Sequence, residues 1–133
     1  MHAVRPMRPQ QRGLTMIGFL FIAIVLVALA MLAMKVVPAY IEFFSVKKIL
    51  ATMGQEPELK SMSNADIRLD FAKRAQVGYV TAVKPEDLSI DRHGAVPVIT
   101  ADYTYRTKLL GNVSLVVDFN ASSDPNAAPV DVE

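Results

Sequence analysis

From Leu14 to Met34 the chain runs for twenty-one residues without a charge, and only Thr15 and Gly18 interrupt its oily character. A helix rising about 1.5 Å per residue would reach ~31 Å over that run, close to the ~30 Å hydrocarbon thickness of a bilayer. A soluble core helix has no use for so long an apolar stretch, so the run predicts a transmembrane helix. Its flanks orient it. Arg5, Arg8 and Arg12 precede it with no acid among them, and only Lys35 follows closely. The side richer in Lys and Arg stays in the cytoplasm, which places the N-terminus inside and the chain beyond Lys35 outside.

The net charge of +1 hides an asymmetry. Residues 1–35 carry four Lys/Arg and no acid, whereas residues 36–133 carry ten Lys/Arg and thirteen Asp/Glu. A basic stub joined to a mildly acidic exported domain argues against nucleic acid as a partner. There is no cysteine, so that domain folds without disulfides. The two histidines, His2 and His93, fall on opposite sides of the expected membrane, which leaves no His-based metal site.

Three fates compete for the apolar run. A cleaved secretory signal has a short apolar core ending in small-x-small, and Ala28-Leu29-Ala30 fits that step. The run continues past it, however, so the peptide there is expected to be helical and lipid-buried, and a retained anchor is the better reading. The third fate follows from "RGLTMIGFLF" and "KVVPAY", which resemble the start of type IV prepilins and pseudopilins. That resemblance implies processing after Gly13, with Leu14 as the new N-terminus. Pilins place a glutamate at the fifth mature position, where it sets filament register; Gly18 stands there instead. The plain alternative is an anchor whose Gly18, Ala23, Ala30 and Ala33 let another helix approach, leaving self-association open.

Beyond the run, Pro38 lacks an amide hydrogen, so a kink or short break is expected there. "AYIEFFSVKKILATMG" then reads as an amphipathic helix with Phe43, Val46, Leu50 and Met53 facing inward and Gly54 as its cap. Gln55 to Met62 reads as a polar linker. A second helix begins at Ser63, capped with Asp66, and ends at Gly78, its inner stripe being Ile67, Phe71 and Ala75. Arg68, Asp70, Lys73 and Arg74 are read as its solvated face. From Tyr79 the period changes to two, predicting strands at "YVTAV", "LSIDR", "VPVITADYTYRT" and "VSLVVDFNA" with turns "KPED", "RHGA" and "LLGN". The fold class is α+β: a transmembrane helix kinked at Pro38 and extended by an amphipathic helix, a second helix, and a three- to four-stranded, mostly antiparallel sheet. The expected organisation is a cytoplasmic stub at 1–13, a transmembrane helix at 14–37, an exported domain at 38–121 and a disordered tail at 122–133.

"RGLTMIGFL", "KVVPAYIEFFSVKK" and "YTYRTKLLGNVSLVVDF" together resemble the small Gram-negative bacterial membrane proteins grouped as domain of unknown function 4845. The resemblance implies a single-span inner-membrane protein with a small periplasmic domain and no assigned activity.

A nucleophile needs a base within reach and a third group to orient it. His93 stands alone beside Gly94, and Glu86 and Asp87 belong to a Pro-initiated turn. No phosphate loop, metal-ligand spacing or nucleophile elbow is present, so the chain reads as a non-enzyme with no cofactor, metal or catalytic residue. Tyr103, Tyr105 and Arg106, followed by Leu109 and Leu110, form the candidate contact patch, Tyr and Arg being favoured at binding hot spots. The partners expected are the lipid bilayer and another envelope protein.

Overall fold

The computed structural model describes residues 15–127. Arg5, Arg8, Arg12, Gly13 and Leu14 lie outside the described residues, as does the chain from residue 128 onward. Two compact units divide at Ala33/Met34. Among the described residues the first is helical from Met16: α1 begins there and runs to Gly54, so it also supplies the start of the second unit. Between Met16 and Ala33 no residue is buried, and the apolar side chains there stand exposed around the whole circumference. Among the described residues α1 is the one helix long and apolar enough to cross a membrane.

Of the kink or short break expected at Pro38, the break does not occur: α1 is continuous through it. Proline removes one i→i−4 bond, but the remaining ladder on either side holds the helix together.

The second unit is built on one hydrophobic cluster. Val46, Leu50 and Met53 of α1 meet Ile67, Phe71 and Ala75 of α2 (Asn64–Val77), spaced so that each set lines one helical face. The other wall is a three-stranded antiparallel sheet in the order β1 (Leu88–Asp91), β2 (Val98–Leu110), β3 (Val113–Ser122). Alternation gives the sheet one inner face, with Leu88, Ile99, Ala101 and Ala121 in the core. Ser63 caps α2: its hydroxyl accepts from the Asp66 N–H at 3.2 Å, while the Asp66 carboxylate accepts from Ser63. Those bonds, side chain first, hold the Asp66 carboxyl below its usual range.

Five local expectations are corrected. "YVTAV" is not a strand, so the sheet has three strands. The reason lies in its amides: Thr81 and Ala82 N–H donate to the Glu42 carboxylate on α1 instead of to a neighbouring strand. Tyr79 also has φ 54°, a left-handed conformation that no strand tolerates. It ends α2 in a Schellman arrangement, with Val80 N–H bonded to Ala75 carbonyl at 2.9 Å and Tyr79 N–H to Gln76 carbonyl at 3.4 Å. The polar linker contains a 3-10 turn, Pro57–Lys60, that buries Leu59 completely. Residues Arg92 to Pro97 form a longer connection than a tight turn, and β2 starts only after Pro97, which has no amide to pair.

The supposed solvated face of α2 is partly engaged. Arg74 bridges Glu56 and Asp70, and Arg68 donates to the Leu88 carbonyl at 3.3 Å, leaving Lys73 exposed. Hydrogen bonding to Glu56, ahead of the Asp70 charge, raises the Arg74 pKa. Lastly, the ordered chain passes residue 121. Ser122 belongs to β3, and buried Ser123 exchanges two 2.9 Å bonds with the Ile99 backbone, one through its N–H and one through its hydroxyl.

Candidate functional site

The five residues of the candidate patch do not share a surface. Successive strand residues face opposite ways, so Tyr103 and Tyr105 point to the inner, half-buried side of β2 while Arg106 is exposed on the outer side; at Leu109 the register with β3 shifts, and Leu110 stands exposed opposite Val113. Tyr103 is an element of packing. Its ring lies 5.3 Å from that of Phe119, which stacks on Phe43 at 4.9 Å and meets Tyr40 edge-on at 5.3 Å. These four rings seat β2 and β3 on α1. The Tyr103 hydroxyl is buried with no partner among the described residues. Burial, and then the nearby Glu42 charge, push its pKa up to about 12.

Tyr105 and the end of β2 meet α1 at Lys35. The Tyr105 hydroxyl donates to the Lys35 carbonyl at 3.3 Å, and the Lys35 ammonium donates to the Lys108 carbonyl. The residue expected to mark the membrane boundary therefore also ties the hairpin to the helix. Glu42 makes a third connection, accepting from the Thr81 hydroxyl at 2.8 Å.

An apolar surface not foreseen from the sequence lies on α1. Met34, Val37, Ile41 and Phe44 are 77 %, 52 %, 62 % and 60 % exposed. Their spacing of three, four and three residues aligns them on one helical stripe. The signal was present in the sequence, but the neighbouring stripe from Phe43 to Met53 is the one the core covers. A seven-residue repeat exposes Met34/Ile41 and Val37/Phe44 together, leaving a seam of the kind helices use for pairing.

Chemistry is not concentrated anywhere in the described residues. His93 is exposed in the β1–β2 connection, 3.7 Å from Asp91, and no third group orients it. No cluster that could hold a metal occurs among the described residues. A cleft of about 650 Å³ lies beside Asp87, Asp102 and Asp118, but Asp102 and Asp118 are already engaged by Asn120 and by the Thr104 hydroxyl.

No curated protein and no solved structure matches the chain. The family model for a domain of unknown function, DUF4845, matches residues 35–119, more than half of the chain. It begins at Lys35, where the hairpin is tied to α1, and ends at Phe119, the centre of the aromatic cluster. The apolar run precedes the matched segment, so the match says nothing about the pilin-like start. The chain thus belongs to the DUF4845 family, with one apolar N-terminal helix consistent with a single membrane-spanning region.

Proposed function

We propose that this protein is a non-enzymatic, single-span protein of the bacterial inner membrane, its N-terminus cytoplasmic and its α+β domain periplasmic, whose domain binds another envelope protein. The observation that carries this reading is the exposed stripe Met34-Val37-Ile41-Phe44. Phe44 lies ten residues beyond Met34, about 15 Å along the helix axis. The headgroup zone on one side of a bilayer is only about 5–8 Å deep. Lipid can cover the start of the stripe, so Ile41 and Phe44 call for a protein surface. The basic flank Arg5, Arg8 and Arg12 supports the orientation.

Ile41→Glu and Phe44→Glu test it. Both side chains are exposed, so the domain's melting temperature should hold while proteins copurifying in mild detergent are lost. Unchanged copurification would refute the stripe as the binding face. A pilin- or pseudopilin-like subunit is the rival reading, supported by "RGLTMIGFLF". Intact mass spectrometry separates the two: a retained Met1 or simple initiator removal fits the anchor, and an N-methylated Leu14 fits the pilin subunit.

A further inference from the structure

Hairpin tips are ordinarily polar, yet the one between β2 and β3 reads Leu109-Leu110-Gly111-Asn112-Val113. Leu110 and Val113, paired across the turn, are 81 % and 59 % exposed. Gly111 has φ 50°, which lets the chain reverse in two residues and push both side chains to the extremity. From Tyr105 to Val117 the hairpin carries two cations, Arg106 and Lys108, and no acid. The acids Asp102 and Asp118 sit farther back along the strands.

The depth of this tip is set by its bonds to α1. Ser123 approaches Gly54, Phe119 stacks on Phe43, and Tyr105 and Lys108 bond to Lys35. Read in that order, β2 and β3 lie along α1 with the turn at the Lys35 end. Leu110 lies two residues beyond Lys108, so the turn is at the Lys35 end of this unit. Lys35 is also the first charge after the uncharged run. The turn is thus at the end of this unit from which the uncharged run departs.

We infer that the Leu109–Val113 tip is a second membrane contact, inserting Leu110 and Val113 at the bilayer edge with Arg106 and Lys108 against anionic phospholipid headgroups. Two apolar side chains and two cations would hold a soluble protein only weakly on a membrane. Here the anchor supplies the approach, so the contact forms at high effective concentration. Its consequence is orientation: a domain held at both Lys35 and the hairpin tip cannot swivel freely, and the Ile41–Phe44 stripe is presented at a fixed height.

The inference rests on the membrane-anchored reading, and one experiment distinguishes their failures. The chain has no cysteine, so Leu110→Cys, Val113→Cys, His93→Cys and Leu20→Cys each accept one environment-sensitive fluorophore in the full-length protein. The variants are reconstituted into phosphatidylethanolamine vesicles with or without phosphatidylglycerol. Labels at 110 and 113 should be blue-shifted and quenched by a nitroxide on the lipid about threefold more than the label at 93, and more so with phosphatidylglycerol. If 20 is quenched but 110 and 113 behave like 93, the hairpin contact is refuted and the anchor stands. Shielding from water without lipid quenching would put the tip against protein and refute it equally. If 20 also remains in water, both readings fall.

Discussion

The two parts of α1 belong to one continuous helix and meet opposite fates. From Met16 to Ala33 apolar side chains face every direction and none is buried. From Met34 to Gly54 charges and hydroxyls enter, and Val46, Leu50 and Met53 become fully inaccessible. One segment finds its apolar surroundings in its own domain, and the other has to find them elsewhere. Where polar residues hold one side of the helix, the domain covers the other; where none interrupts the apolar surface, the chain itself covers no side.

The largest effects should come from contrasting the two segments. Phe71→Ala removes a ring that is fully buried against α1, and should cost about 3–5 kcal/mol of domain stability, read by chemical denaturation in detergent. Leu26→Ala, on the exposed segment, should leave that value within about 0.5 kcal/mol. A comparable loss from both would mean the apolar segment is part of the domain's own core.

A smaller effect is expected where α1 ends. A Cβ added at Gly54 would sit 2.8 Å from the Ser123 carbonyl oxygen, so Gly54→Ala must displace either the helix end or the end of β3. The expected destabilisation is about 1–3 kcal/mol. Gly54 is then a spacer between helix and sheet, where its sequence position suggested a cap.

Tyr79 supplies a gain. It is exposed and carries the positive φ that glycine normally takes at this position, so Tyr79→Gly should stabilise by about 1 kcal/mol. Smaller still is the effect of Tyr103. Its folded pKa, raised to about 12, exceeds the ordinary value of 10.0, so unfolding favours its ionisation. The stability it contributes is complete below pH 10.0 and is lost as pH rises toward about 12. Tyr103→Phe removes that loss together with an unpartnered hydroxyl, so the variant should fall off less steeply in an alkaline stability series and be nearly neutral at pH 7.

Periodicity made much of the architecture legible. The stripes on α1 and α2, the Ser63–Asp66 cap and the alternation of β3 follow from residue spacing alone. Tertiary competition hid the rest. "YVTAV" has strand character, but Glu42, thirty-nine residues earlier in the chain from Thr81, takes its amides. Leu59 looked like one apolar residue in a polar linker until the 3-10 turn aimed it into the core. The candidate contact patch is divided between two faces for a reason visible in the sequence: neighbours in a strand point opposite ways, so Tyr105 and Arg106 lie on different sides of β2. The Lys35 junction was not foreseeable, because both of its bonds join residues seventy or more apart.

The most direct test of the account asks which aqueous compartment each end of the chain meets. His2→Cys and His93→Cys, the only cysteines in otherwise cysteine-free chains, are treated in cells whose outer membrane has been permeabilised with a thiol reagent that cannot cross the inner one. With the N-terminus cytoplasmic and the domain periplasmic, residue 93 should be modified, residue 2 should be protected until the cells are lysed, and both proteins should stay in the membrane through alkaline carbonate washing. Equal modification at the two sites, or release by the wash, would contradict it.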